Sequence, residues 1–258
     1  MSSTKVIILT SGSGVTAALC LPTLAKTANV HVMGVVRAQG MNPSTRWSRG
    51  KRKLRKVMQI GALGAINGLR MRRWYCVDHT SLEEVCQDTG VKLFNVPYIG
   101  SKITEEIFQD IEPDVGLSLS NGFIPERIFS IPKLGMLNVH SERLPEYQNA
   151  QSVIWPIYNN EKVTGITIHC VASGIDEGDI VHEESFPIHF GSTLRESVEQ
   201  TLLETRERTV EAVPLVCANL LRFPKQRTKQ VGGGKYTTPS IWQFWRMERN
   251  NRRLSKEY

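Results

Sequence analysis

Apolar residues fall along this chain in short continuous runs, separated by turns marked with glycine and proline. Lys5-Val6-Ile7-Ile8-Leu9-Thr10 is apolar enough for a strand buried on both faces, as in a parallel sheet. Ser11-Gly12-Ser13-Gly14 turns the chain, Val15 to Lys26 reads as a helix despite Pro22, and Val30 to Val36 as a second strand. This βαβ unit opens a parallel sheet. The pattern resumes with a helix at Leu82 to Asp88, a strand at Val91 to Val96, a helix at Ile103 to Ile111 capped by Thr104, and a strand at Asp114 to Leu119. A loop and a short helix through Phe129 return the chain to a strand at Gly135 to His140. A helix bearing Trp155, strands at Val163 to Val171 and Ile180 to Phe186, and a helix from Ser192 to about Cys217 come next. Gln226 to Gln230 and Lys235 to Thr238, around three glycines, predict a small hairpin, and Ile241 to Leu254 a last helix. The fold class is α/β: a Rossmann-like, mostly parallel sheet with helices on both faces. Residues 1–190 form the core, and 191–258 complete it with a helix, the hairpin and a basic helix.

Two polar residues interrupt the apolar run Gly135-Met136-Leu137-Asn138-Val139-His140. Side chains alternate along a strand, so Asn138 and His140 point the same way, ~7 Å apart. Ser141 to Pro145 then ends the strand. Open α/β sheets build their sites at the C-terminal ends of strands. Taken alone, the pair serves equally well to satisfy a strand-end turn.

The first turn carries a second signal. Gly12-Ser13-Gly14-Val15-Thr16-Ala17 fits the dinucleotide fingerprint G-x-G-x-x-A after a strand and before a helix. The second strand ends on Arg37, which suits a 2′-phosphate, where an acid would hold a ribose. An NADP-dependent oxidoreductase is therefore an open reading. A turn that holds any phosphate or carboxylate by free N–H groups is another, and a plain tight turn is a third.

Charge adds a partner class. The 258 residues carry a formal net charge of +7, which suits an anionic partner. Arg46, Arg49, Lys51, Arg52, Lys53, Arg55 and Lys56 precede an apolar stretch from Val57 to Leu69, and Arg70, Arg72 and Arg73 close it. A solvated basic helix running into a buried one, a phosphate-binding arm, and an interfacial membrane helix all fit that pattern. No stretch reaches the ~20 apolar residues of a membrane span. Met1 to Lys5 leads into a strand without a secretory pattern, and five scattered cysteines suggest reduced thiols, so a cytoplasmic location is expected. His182 and His189 have no evident ligand partners in sequence, and no metal is expected.

The centre of the chain then narrows the reading. Asn138-x-His140, Leu144-Pro145-x-Tyr147, Thr164-Gly165-Ile166-Thr167-Ile168-His169 and Ile175-Asp176-x-Gly178-Asp179-Ile180 occur in order. Their combined spacing, from about Val115 to Pro187, resembles the folate-dependent formyltransferase family. Ser141 stands where that family often has proline, and Gln148-Asn149 where Arg-Gly is common. The resemblance implies that Asn138, His140 and Asp176 are catalytic and that N10-formyltetrahydrofolate is the co-substrate. Asn138 would stabilise an oxyanion, His140 would act as general base, and Asp176 would hold the imidazole. It also implies a folate site between Ser120, Gly122, Phe123 and Ile124 on one loop and Ser173, Gly174 and Ile175 on another. Cys170, inside a strand, is not expected to be a nucleophile, and His169 reads as structural.

The basic insert and short tail resemble the nucleotide-sugar N-formyltransferases of O-antigen assembly. That resemblance implies a nucleotide-sugar acceptor and no nucleic-acid partner. The arginines and lysines near 46 to 73, Arg46 and Arg49 among them, would meet the diphosphate; Gly12, Ser13 and Gly14 would bind the substrate, and Tyr147, Gln148, Asn149 and Gln151 would meet the amino sugar. A methionyl-tRNA formyltransferase and a non-catalytic nucleotide-binding protein stay open beside it. A homodimer and a weak membrane-surface contact are both compatible with the chain.

Overall fold

Buried valine, isoleucine and leucine side chains set the order of the sheet. The computed structural model describes residues 3–43, 46–76, 79–220 and 227–257; the side chains of residues 46–49 and 52 lie outside that description. Strand β1 (Thr4–Ser11) has Val6, Ile7, Ile8 and Leu9 fully enclosed, as a central parallel strand requires. The chain then runs through α1 (Val15–Lys26), β2 (Val30–Ala38), α2 (Arg46–Arg72), α3 (Leu82–Thr89), β3 (Leu93–Val96), α4 (Lys102–Ile111), β4 (Val115–Leu119) and α5 (Glu126–Phe129). It continues as β5 (Met136–His140), β6 (Tyr147–Gln148), α6 (Ile154–Tyr158), β7 (Val163–Cys170), β8 (Ile180–Pro187), α7 (Leu194–Ala218), β9 (Gly234–Lys235) and α8 (Ile241–Leu254).

The seven-stranded sheet has the order β3-β2-β1-β4-β5-β7-β8. The first five strands are mutually parallel, and β7 and β8 are antiparallel to their neighbours. Strand order reverses beside β1, between β2 and β4, so a crevice opens at the C-terminal ends of β1 and β4. On one face Ala17, Leu21 and Leu24 of α1 join Leu82 of α3 and Val213 and Val216 of α7. On the other, Phe108 of α4 and Ile128 of α5 cover Ile7, Leu9 and Val36. A third cluster, with Met71, Trp74, Tyr147, Trp155, Phe244 and Met247, joins α2 and α8 to the segment after β5.

Three local expectations are corrected. The cap of α4 is Ser101, whose hydroxyl accepts from the Thr104 N–H; Thr104 lies inside the helix. The cap of α7 is Thr193 rather than Ser192, and it accepts from the Glu196 N–H. Most changed is the C-terminal hairpin. Among the described residues, the two arms pair elsewhere: Thr228 bridges Ile180 at the start of β8, and β9 runs parallel to β6. Gly233, at φ 119, lies so close to the Pro145 carbonyl that a Cβ there would collide with it. The glycines thus let the tail press onto the loop after β5 instead of folding on itself. Residues 221–226 lie outside the described residues.

Helix α2 is bent at Gly61, whose φ of 75° and ψ of 163° are not helical. In its second half Gly64, Asn67, Gly68 and Met71 are buried, at i, i+3, i+4 and i+7. The small face receives the chain leading into α8: a Cβ on Gly64 would crowd Ser240 and Pro239, and one on Gly68 would meet Thr238. Only part of the expected buried helix is therefore buried, because Leu63, Ile66 and Leu69 point out.

Candidate active site

β5 ends at the crevice, and its alternation brings Asn138 and His140 to one cavity of about 530 Å³. Asp176, from the loop between β7 and β8, joins them. The sheet register explains the third partner: β7 lies beside β5, with Asn138 opposite His169.

The hydrogen bonds fix which atoms remain free. The Ser118 hydroxyl donates to Asn138 Oδ1 at 2.8 Å, so the amide nitrogen faces away from β4. Asn138 Nδ2 lies 3.1 Å from His169 Nε2, and His169 Nδ1 lies 2.9 Å from the Cys170 carbonyl. A carbonyl only accepts, so Nδ1 of His169 carries the hydrogen and Nε2 accepts from Asn138. Upstream, Asn121 donates to the Ser118 hydroxyl at 3.1 Å and to the Leu9 carbonyl at 2.6 Å, and Ser11 donates to Asn121 Oδ1 at 2.6 Å. One chain of hydrogen bonds thus runs from the first turn through Ser118 and Asn138 to His169. It leaves the second Nδ2 hydrogen of Asn138 without a partner in that chain.

The same reasoning orients His140. Its Nε2 lies 2.8 Å from the Tyr147 carbonyl and therefore donates, which leaves the lone pair on Nδ1. Asp176 Oδ2 lies 3.6 Å from that Nδ1, and Oδ1 lies 3.6 Å from His169 Nε2. Burial holds the imidazole of His140 below its ordinary value, while the Asp176 charge and the Tyr147 carbonyl oppose that shift. Burial also works against ionisation of Asp176. It is outweighed by His169 and His140 in their protonated forms and by the Asn149 N–H, which together hold the carboxyl down at about 2. A neutral imidazole with a free nitrogen, beside a carboxylate that stays charged, is a base whose protonated form is stabilised as it forms.

The backbone around the cavity is held in an unusual conformation. Ser120, Asn149, Val153 and Asp176 all have positive φ, between 54° and 73°. For a β-branched residue such as Val153 this costs on the order of 1–3 kcal/mol. The Val153 N–H donates to Glu142 Oε1 at 2.5 Å, and the Thr164 hydroxyl donates to the same oxygen at 2.9 Å. The Asp176 loop is fixed from behind: its Oδ2 accepts from the Asn149 N–H at 2.8 Å, and its carbonyl from Gln230 at 2.9 Å.

The expected binding residues divide into those that line the cavity and those that support it. Ser120, Gly122, Phe123, Ile124, Gly174, Ile175, Asn149 and Gln151 line it, whereas Ser173 does not. Phe123 and Ile175 are 69% and 56% exposed on the two facing loops. Tyr147 is enclosed, stacked on Tyr236, with its hydroxyl on Glu161. Gln148 is buried and donates to Gln230 at 3.1 Å. Neither lines the cavity; their strand, β6, pairs with β9. Ser13 and Gly14 line an adjoining cavity of about 610 Å³, together with Tyr75 and Ser120, while Gly12 is outside its lining. The side chains of Arg46 and Arg49 lie outside the described residues. Arg37 is committed to Glu83 at 2.6 Å and to Asn95 at 3.0 Å, which leaves the NADP reading without its phosphate ligand.

Sequence reasoning missed His169, Ser118 and Asn121. Register could have found His169, which sits on the strand that must flank β5. Ser118 and Asn121 gave no such signal, because serine and asparagine at a strand end are ordinary turn residues.

Known proteins resemble this chain in sequence over part of its length and in fold over most of it. Residues 105–213 match the formyl transferase family. The match spans β4, β5, β7, β8 and most of α7. The chain is 27% identical over 146 residues to a methionyl-tRNA formyltransferase of Natranaerobius thermophilus, which covers 56% of this chain and 47% of that protein. The chain spans less than half the length of that relative. Phosphoribosylglycinamide formyltransferase of Bacillus halodurans has the same fold, with a TM-score of 0.57, 18% identity, and coverage of 84% of this chain and 95% of that one. So does an N-formyltransferase of Helicobacter canadensis, in complex with folinic acid and dTDP-3-aminofucose, with a TM-score of 0.54, 19% identity, and coverage of 93% and 73%. Solved formyltransferases thus share the fold, and the family match covers the segment that holds Asn138, His140 and Asp176.

Proposed function

We propose that this protein transfers a formyl group from N10-formyltetrahydrofolate to the amine of a nucleotide-linked amino sugar. One observation carries the reading: a partnered Asn138 amide, a His140 with its free nitrogen inward, and a charged Asp176 meet in one cavity. Between its two glycine-bearing loops, exposed Phe123 and Ile175 offer apolar cover for a flat ring such as a pterin. The Helicobacter protein of the same fold, seen with a folate and an amino-sugar nucleotide, supports both substrate classes.

The residues then divide the chemistry. As the acceptor nitrogen bonds to the formyl carbon, Asn138 donates its remaining Nδ2 hydrogen to the oxygen that gains charge; one such donor is usually worth ~10²–10³-fold in rate. His140 takes the proton from the attacking amine at Nδ1, and Asp176 stabilises the imidazolium. His140 returns that proton to N10 as the carbon–N10 bond breaks, so the products are a formamide and tetrahydrofolate. No side-chain nucleophile is needed, and burial raises the Cys170 thiol above its ordinary value.

The basic segment from Arg46 to Arg73 favours a diphosphate-bearing acceptor, and a nucleotide sugar of lipopolysaccharide O-antigen biosynthesis, with GDP-perosamine as the first candidate, supplies one. Methionyl-tRNA is the second reading, favoured by the net charge of +7 and by the relatives named for it. A mass-spectrometric screen separates them: protein and N10-formyltetrahydrofolate are offered GDP-, dTDP- and UDP-linked amino sugars, glycinamide ribonucleotide and methionyl-tRNA. Gain of one carbonyl mass on an amino sugar is the expected result. Gain on methionyl-tRNA alone overturns the acceptor and keeps the three residues. Gain on none, with active folate, overturns the enzyme reading in favour of a binding protein.

A further inference from the structure

The largest feature the active site leaves unused is the outer face of α2 and the start of α8. In the first half of α2, Leu54, Val57 and Met58 are exposed at i, i+3 and i+4, with Met58 at 78%. In the second half Leu63, Ile66 and Leu69 are exposed, while the glycine face is the one that packs inward. α8 begins against Gly64, and its Trp242 and Trp245 are also exposed, with Trp242 at 70% and the two rings edge to face at 4.9 Å. An outward apolar stripe on a helix whose small residues already pack inward is not explained by the fold.

Charge says what covers it. Arg46 to Tyr75 contains ten lysines and arginines and no acidic residue. The helix breaks at Gly61, and Lys56 in its first half feels the charge of Arg72 at its end. Burial, and after it the charge of Arg72, lowers the Lys56 ammonium. We infer that this face of α2 and α8 docks on an anionic lipid surface, with Leu54, Val57, Met58, Leu63, Ile66 and the two tryptophans at the level of the headgroups and Lys53, Arg55 and Lys56 on lipid phosphates. Helices that lie in an interface combine these parts, and tryptophan favours that depth. A second copy of the chain fits less well, since a two-fold contact would bring the same cations together. Nucleic acid fits less well too, because its interfaces are polar and wet, and aliphatic side chains neither stack on bases nor pair with them. Among the described residues no helix is long and apolar enough to cross a membrane, so the contact is with the surface.

The inference stands apart from the formyl-transfer reading. Its test is co-sedimentation of the full chain with vesicles of equimolar phosphatidylcholine and phosphatidylglycerol, against vesicles of phosphatidylcholine alone, at low and high salt. Binding to the anionic vesicles only, weakened by salt, is expected. Lys53→Glu with Lys56→Glu should weaken it by at least roughly tenfold. Leu63→Asp with Ile66→Asp should abolish it; both side chains are exposed, so circular dichroism and thermal unfolding should match the unaltered protein. No sedimentation with anionic vesicles overturns the inference. So does a concentration-dependent dimer by light scattering that the Leu63 and Ile66 substitutions abolish, which would assign the face to a second copy.

Discussion

Asn138 and His140 at the end of β5, and Leu63 and Ile66 on α2, depart from the usual relation of residue type to exposure in opposite directions. The first pair is polar and sheltered among hydrogen-bond partners; the second is apolar and open. At β5 each sheltered atom can be assigned a donor or an acceptor, and what remains unassigned is one amide hydrogen and one ring nitrogen, both facing the cavity. Burial without partners would be costly, so those remaining atoms mark chemistry. On α2 the remainder is a surface rather than an atom, which marks a partner. A sheltered polar pair points to a reaction coordinate; an exposed apolar stripe beside cations points to an interface.

The largest expected effect separates the two regions. His140→Ala should lower turnover on the accepted amino sugar by ~10²–10⁴-fold, and Asn138→Ala by ~10²–10³-fold, with little change in acceptor KM. Leu63→Asp with Ile66→Asp should leave turnover of a soluble acceptor unchanged. Steady-state kinetics on the purified proteins makes the comparison. Equal losses in both regions would mean that α2 belongs to the active site and that the division drawn here is wrong.

Asp176 tests whether the carboxylate acts through the imidazole. Burial lowers the His140 imidazole and the Asp176 charge raises it, so kcat/KM should rise with pH through a value below 6.5. In Asp176→Asn the raising charge is gone. The rising limb should then move to lower pH while the plateau falls, by about tenfold to a hundredfold, because the imidazolium loses its partner. A plateau loss with the limb unmoved would reduce Asp176 to a loop-holding role through the Asn149 N–H. The same carboxyl, at about 2 in the fold, stabilises the protein above its ordinary 3.8 and loses that contribution as pH falls from about 4 to 2.

Much of this was legible before any coordinates. The run Val6 to Leu9 in β1 is apolar without alternation, the pattern of a strand buried on both faces, and β4 is enclosed along its whole length. α1 and α8 have the boundaries their periodicity predicts. Strand alternation pairs Asn138 with His140, and the family resemblance implies Asp176; the structure brings all three to one cavity. Three things were not legible. Thr104 and Ser101 are both good caps three residues apart, and only the N–H that is actually reached decides between them. The tail pairs with β6 and β8 because Gly233 can approach the Pro145 carbonyl, a long-range fact that a local hairpin pattern does not contain. On α2, alternation of small and large apolar residues marks two faces without saying which one is packed; Ser240 and Thr238 against the glycines decide it.

The smallest expected effect concerns Glu142, a polar residue that is sheltered but only half partnered. It is fully buried, next to the loop that shapes the cavity. Oε1 accepts from Val153 and Thr164, while Oε2 has no partner. Burial raises its carboxyl from 4.5 to about 8, against the pull of those hydrogen bonds, so at neutral pH the group carries a proton. Between those two values the folded chain holds a proton that the unfolded chain has released. Stability should therefore decline as pH rises from about 4.5 toward 8, with a slope of at most ~1.4 kcal/mol per pH unit from this group. Glu142→Gln keeps an acceptor for Val153 and Thr164 and cannot ionise, so its decline over that window should be shallower by the same amount. Urea unfolding at pH 5, 6, 7 and 8 measures both curves. Parallel curves would show that Glu142 is ionised in the fold, and that Oε2 has found a donor which the hydrogen bonds described here do not supply.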